Sequence, residues 1–249
     1  MRKISKEEYF KNFKNQSHIE QMKKVERQFK AVKNEATNAT ELTIYGVIGD
    51  SWWEDSVSAA DVDEALQSIS GDIVINLNSP GGDAFEGIAI YNRLKKHDGK
   101  VTINVDGWAC SAASVIACAA DELFMGLGSM FMIHEASTIV WGSKTDMRKE
   151  ADVLESLEEG IIDIYMTKAN VSREEIKNMV DSETWFSAQK AVEIGFAAGT
   201  NAASSITDDE EVTQLKAQMS ALKDELAQLK NENQKKPEPV KQNRAARLF

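Results

Sequence analysis

The chain is short of the residues that staple or stiffen small secreted folds. Only two cysteines occur among its 249 residues, Cys110 and Cys118. They are too few and too close together for a disulfide framework, and no Cys/His set has metal-ligand spacing. Reduced thiols, no metal and no cofactor are therefore expected. Long apolar runs are also missing: the small and apolar stretch from Ala112 to Ala120 stops at Asp121, far short of the ~20 residues a membrane span needs. The opening MRKISKEEYF is charged from the start and lacks the apolar core and small-residue cleavage site of a secretory signal, so a cytoplasmic location without membrane contact is expected. Positive charge is the scarcer sign, with 29 Lys and Arg against 40 Asp and Glu and a net charge of -11. That balance argues against nucleic-acid binding by the body, since duplex binding relies on cations at the phosphates. The basic residues gather in 1–34 and after Gln234, where they suit either an acidic partner or simply the solvated faces of helices.

What is present suffices for a folded body. Hydrophobic residues make up 42% of the chain and charged ones 28%, an ordinary globular balance, and the length suggests one domain with appendages. Three zones follow from the pattern. In residues 1–41, Ile19, Met22, Val25, Phe29 and Val32 recur at three- and four-residue steps, which predicts an amphipathic helix between about 6 and 34. The stretch NEATNATE then reads as a linker. Residues 42–199 alternate β-like runs (LTIYGVI, DIVINLN, KVTINVD) with helical ones, an α/β order. Ser58 with Asp61 forms a capping box for one helix. A second helix follows Gly82, with Phe85, Ile88, Tyr91 and Leu94 on its apolar side. A long helix spans about Thr145 to Ala169, another starts at Ser172 with Glu175 at its third position, and a last one runs from Ser187 to Ile194 before Gly195. Residues 200–249 open with a polar linker. A heptad follows at Val212, Leu215, Met219, Leu222, Leu226 and Leu229, predicting a coiled-coil helix, which Pro237 and Pro239 end before a basic tail.

Three segments carry chemistry. NSPGGD, from Asn78 to Asp83, follows an apolar strand and opens a helix. Two glycines there let backbone N–H groups point at a bound oxygen, which suits an oxyanion hole, although Ser-Pro-Gly-Gly is also an ordinary turn. GWACSAAS follows the next strand, and its small residues either expose a serine hydroxyl, as in a nucleophile elbow, or merely let a helix pack close to a sheet. Ser111 and Ser114 both qualify as nucleophile, and Cys110 adjoins them. A serine needs a base, and the three histidines are His18 in the basic N-terminal segment, His97 in KKHDGK, and His134 at the end of MFMIH. A histidine at a strand end serves either as a base or as a hydrogen-bonded core residue.

The order strand, SPGG, helix, strand, GxAxS, helix, MIH resembles the proteolytic subunit of the Clp protease, and FSAQKAVEIGF resembles that family's closing helix. The resemblance covers roughly residues 42 to 199. It implies an α/β fold of the Clp protease and crotonase type, a spiral of ββα units, here with an N-terminal helix and a C-terminal coiled-coil helix added. It also implies a serine-type endopeptidase like the ATP-dependent Clp enzyme, acting on protein substrates from a closed homo-oligomer, a ring of the family type. Whether an ATPase partner feeds it stays open. The pair Trp52–Trp53 and the run ETWFSA are similar to phage members that act as head-maturation proteases, which implies capsid or scaffold proteins as substrate and the host cytoplasm or procapsid as location. Carried over by position, Ser111 matches the nucleophile, His134 the base, and the amides of Gly82 and Ala112 the oxyanion hole. Aligning Ile176 and Ser187 without gaps places Met179 where degradative members have their aspartate, a departure from the pattern. Asp181 is then the choice for the third triad member, with Glu183 as the fallback.

Other classes remain in view. A crotonase-like acyl-CoA enzyme would use the paired amides but has no need of Ser111 with His134. A non-catalytic capsid assembly or scaffold protein would use only the heptad and basic ends. A serine and lysine dyad of the signal-peptide-peptidase type would require a lysine base and a membrane anchor.

Overall fold

The computed structural model describes residues 26–35, 39–50 and 55–201. The heptad, the basic tail, Trp52, Trp53 and most of the expected N-terminal helix lie outside these residues. The last residues of that expected helix instead form strand β1, Gln28–Lys33, antiparallel to β2, Thr40–Tyr45. Phe29 and Val32 satisfy a helical step, yet a short apolar run fits either template. Phe29 packs against the core, whereas Val32 is 61% exposed.

From β2 onward the chain builds a largely parallel sheet. β5 (Ile73–Ser79), β6 (Val101–Cys110), β7 (Glu122–Gly126) and β10 (Gly199–Asn201) follow β2 in that spatial order, each pairing in parallel with its neighbour. Alternation sorts their side chains: Ile73, Ile75, Leu77, Val101, Ile103 and Val105 face the core, fully buried or nearly so. Asn76 and Asn104 occupy the other face and hydrogen-bond to each other. Period-two patterning of this kind is what β-branched strands with one covered face should show.

Helices cover the core face. α1 (Ala59–Gln67) begins at the Ser58–Asp61 capping box read from the sequence. α2 (Ala84–Lys95) begins at Asp83, whose carboxylate accepts from the amides of Phe85 and Glu86. It buries Ile90, Tyr91 and Leu94, but Phe85, expected on the apolar side, is 66% exposed. α3 (Ala112–Ala117) is wholly buried. α4 (Lys144–Met166) has 23 residues. α5 (Arg173–Asp181) carries the Ser172–Glu175 box, and α6 (Ala188–Ile194) runs from its Ser187 cap to Gly195. Two short strands, β3 (Val47–Ile48) and β4 (Ser56–Val57), pair apart from the main sheet. Among the described residues no helix is long and apolar enough to cross a membrane.

The feature that positions the site is a fork in β6. Its first half, Thr102–Val105, pairs with β7, while Trp108–Cys110 pair with β8 (Met130–Ile133). β8 in turn pairs antiparallel with β9 (Thr184–Ser187), matching Met130 with Ser187, Met132 with Trp185 and Ile133 with Thr184. The ends of β5, β6, β8 and β9 thus converge on one side of the molecule.

Candidate active site

Ser111 stands between the end of β6 and the start of α3, with φ 55° and ψ -124°. A positive φ is costly for a residue with a Cβ and persists only where the surroundings over-determine it. They do so here. The Ser111 amide donates to the Met132 carbonyl at 3.0 Å, and the Ser111 carbonyl accepts from the amides of Ser114 and Val115 at 2.9 and 3.3 Å. It also accepts from the Ser114 hydroxyl at 2.6 Å. That hydroxyl spends its only proton on Ser111, so the Tyr165 hydroxyl, 2.8 Å away, must donate to it. Burial pushes the Tyr165 phenol well above its ordinary range, partly opposed by the Ser114 bond, which keeps it neutral and able to donate. Of the two candidate serines, Ser114 is fully buried and acts as a brace, while Ser111 opens on the cavity.

His134 is the residue after β8, and its Nε2 lies 2.8 Å from Ser111 Oγ. That is hydrogen-bond reach for a nucleophile and its base. His97 sits elsewhere, its ring nitrogen 2.7 Å from the Gly71 carbonyl, and His18 lies outside the described residues. Cys110 is fully buried beside Ser111. Burial, and then the charge of Glu183, push its thiol far above the ordinary range, so it is not a competing thiolate. Cys118 is pushed up to about 12 by burial.

The Gly81–Gly82 turn forms the opposite wall. Ile48 of β3 donates to the Gly81 carbonyl at 2.8 Å and accepts from the Asp83 amide at 2.9 Å. In a parallel bridge of this kind the middle residue, Gly82, turns its own amide away from Ile48. A side chain at Gly82 (φ 152°) would put its Cβ 1.8 Å from the Ile48 carbonyl oxygen, and one at Gly81 would come within 2.9 Å of Cys110, Ser111 and Ala112. Glycine is therefore required for this wall to approach the serine so closely. Ala112 opens α3, and the first amides of a helix have no intrahelical acceptor. The amides of Gly82 and Ala112 thus belong to residues lining the same cavity as Ser111 and His134. Phe85 and the α4 residues Leu154, Leu157 and Ile161 line it too, and its volume is about 230 Å³.

The two acidic candidates separate. Asp181, at the end of α5, lies 3.8 Å from Lys177 Nζ, and its carboxylate gathers with those of Glu135 and Glu158, all within 4.8 Å of one another. Among the described residues this group alone has carboxylates close enough to share a metal ion. Lys177, 3.1 Å from Glu158, already gives it a positive partner. Glu183 is placed otherwise. β8 and β9 pair Ile133 with Thr184, and one further step of that register sets His134 opposite Glu183. Glu183 has φ 53°, acts electrostatically on the buried Cys110, and accepts from Trp185 Nε1 at 3.2 Å. The antiparallel pairing of ETWFSA with MFMIH supplies this relation, and counting along the chain does not.

A strained serine in hydrogen-bond reach of a histidine, beside a glycine turn and a helix N-terminus, has the parts of a serine hydrolase centre. Comparison with known proteins agrees with that class. A family model described as Clp protease matches residues 25–200, and the chain belongs to the Clp protease family, whose members are serine peptidases. The match begins well before residue 42 and so takes in β1. A Clp protease proteolytic subunit 1 from Chlamydia muridarum is 35% identical over 138 residues, 54% of this chain and 72% of that protein. A proteolytic subunit 3 from Rhodococcus jostii is 30% identical over 126 residues, 50% of this chain and 62% of that one. A point mutant of ClpP1 from Listeria monocytogenes is a structural match with TM-score 0.57 and 27% identity, covering 64% of this chain and 90% of that one.

Both thiols are shielded and held neutral, so iodoacetamide at pH 8 should modify neither in the native protein and both after denaturation. Peptide mapping of alkylation checks this, and fast native labelling of Cys110 would contradict the assigned environment.

Proposed function

We propose that this chain is a serine endopeptidase in which Ser111 attacks a peptide carbonyl, His134 is the general base, and Glu183, in preference to Asp181, holds the imidazole. The observation that carries the reading is the 2.8 Å approach of His134 Nε2 to Ser111 Oγ. During attack the serine proton passes to Nε2 and the new C–O bond gives a tetrahedral oxyanion. The amides of Gly82 and Ala112 stabilise it, a kind of contact whose loss costs about 3 to 4 kcal/mol. Collapse expels the amine, which takes the proton from His134, and water then releases the acyl group by the reverse sequence. Asp181 is engaged with Lys177, whereas Glu183 and His134 flank the last pair of the β8–β9 ladder, Thr184 with Ile133, which supports Glu183. A crotonase-like centre would have no use for the serine and histidine pair.

The apolar cavity between the Gly82 wall and α4 suits an extended polypeptide. The similarity of Trp52–Trp53 and ETWFSA to head-maturation members makes capsid or scaffold protein the proposed substrate. A closed homo-oligomer, a ring of the family type, is supported by exposed apolar side chains: Trp141 before α4, 100% exposed, Met147 on it, and Ile139 and Val153 at the cavity. Exposed large apolar side chains gathered on one segment suit an interaction surface.

Ser111→Ala and His134→Ala should each abolish peptide cleavage without changing the thermal midpoint, and the double variant should be little worse than either. A fluorophosphonate should label Ser111, and label on Ser114 would overturn the assignment. Glu183→Gln should lower kcat by about 10³- to 10⁴-fold and Asp181→Asn by less than about threefold; the reverse order restores Asp181. Light scattering at micromolar concentration should give a multi-subunit mass, and a monomer would refute the oligomer. Co-expression with a phage capsid protein and a scaffold protein should yield truncated products by mass spectrometry, absent with Ser111→Ala. Full-length products in both cases would remove that substrate class.

A further inference from the structure

Glutamate at position 183 raises a physical difficulty. It has one methylene more than aspartate, hence one more torsion to fix, and an unrestrained carboxylate would spend much of its time turned away from the ring it must orient. The side chain of Trp185 lies where it can remove that freedom. Cys110, Met132 and Trp185 share one face of the β6–β8–β9 ladder, since paired residues share a face, and Glu183, just before β9, acts electrostatically on Cys110 of that face. On that face Trp185 Nε1 donates to Glu183 Oε1 at 3.2 Å. An indole N–H only donates, so it engages one carboxylate oxygen and leaves the second as an acceptor.

The indole is itself held. Its ring meets Trp108 edge to face, with centroids 6.0 Å apart and an interplanar angle of 79°. Trp108 lies on β6 three residues before Ser111, and its amide donates to Asn78 Oδ1 at 3.1 Å. Asn78 belongs to the NSPGGD segment that provides the glycine wall. The chain Asn78, Trp108, Trp185, Glu183 therefore ties the acid's position to the same strand ends that carry the serine and the oxyanion amides. Packing of β9 onto the core is the task of Phe186 on its other face, which is buried among Phe131 and Phe196.

We propose that Trp185 is a positioning residue for catalysis: its indole N–H holds Glu183 so that the free carboxylate oxygen faces His134. This rests on Glu183 being the third triad member. The acid's hold on the ring matters most when His134 becomes an imidazolium in the transition state, so loss of the restraint should appear in turnover and not in binding.

The test is a double-mutant cycle on the full-length chain with a short fluorogenic peptide amide, supported by the rate of fluorophosphonate labelling of Ser111. Trp185→Phe keeps a ring against Trp108 and removes the N–H. It should lower kcat on the order of tenfold with KM within about twofold, and slow fluorophosphonate labelling in proportion. In a Glu183→Gln background the same change should cost less than about twofold, because the indole acts through the carboxylate. Should Trp185→Phe fold poorly, benzothienylalanine incorporated at position 185 replaces only the N–H by sulfur and should give the same loss. An unchanged kcat in that isostere, or an equal loss with and without Glu183, overturns the positioning role while leaving the triad intact. If Glu183→Gln alone leaves kcat untouched, the triad reading fails, and this inference with it.

Discussion

The backbone of Ser111 is the constraint around which the rest of the site is arranged. A serine at φ 55° stays there only if each of its backbone groups is claimed by something rigid, and the claimants come from separate parts of the chain: the Met132 carbonyl from β8, and the amides and hydroxyl in the first turn of α3. The reward for holding this conformation is direction. Ser111 projects from the strand end toward His134, which follows immediately on the strand whose carbonyl holds the Ser111 amide. The serine hydroxyl and the imidazole are thus set by one ladder, so their separation is a property of strand pairing and not of loop conformation.

The same ladder divides labour between its two faces. One carries Phe131, Ile133 and Phe186 into the core. The other carries Trp108, Cys110, Met132 and Trp185. Because side chains alternate strictly along a strand, a shift of one residue in the β8–β9 register would exchange these sets and take Phe186 out of the core. The aromatic packing of Phe131, Phe186 and Phe196 therefore protects the register on which the proposed acid depends. That coupling runs from core energetics to site geometry.

Much of this was legible in the sequence because it rests on local signals. Capping residues Ser58, Ser172 and Ser187 marked helix starts that the structure has, and apolar alternation in DIVINLN and KVTINVD marked β5 and β6. The serine and histidine candidates followed from segment order. The misses share a physical cause, which is that they depend on partners distant in the chain. β1 looked helical because Phe29 and Val32 fit a three-residue step, while pairing with β2 decides the matter. Phe85 looked like core because periodicity reports a face of the helix without saying whether that face meets protein or an open cavity. The proposed change of acid from Asp181 to Glu183 has the same origin: ungapped counting measures distance along the chain, whereas the β8–β9 pairing that ends at Ile133 and Thr184 runs across it.

Helix α4 shows how a long element can serve the site at both ends. Near its C-terminus Tyr165 donates to Ser114, which holds the Ser111 carbonyl, so this end braces the strained residue from beneath. One to three turns earlier Ile161, Leu157, Leu154 and the more exposed Val153 line the cavity, and farther out Met147 stands exposed. Apolar positions along one helix thus pass from core brace, through cavity wall, to open surface, with no change of secondary structure. Covering the outer part would fix the helix where it walls the cavity, and a helix is stiff enough to carry that restraint to Tyr165. A cover over that outer part would therefore act on the cavity wall and on the brace of Ser111 through one rigid element.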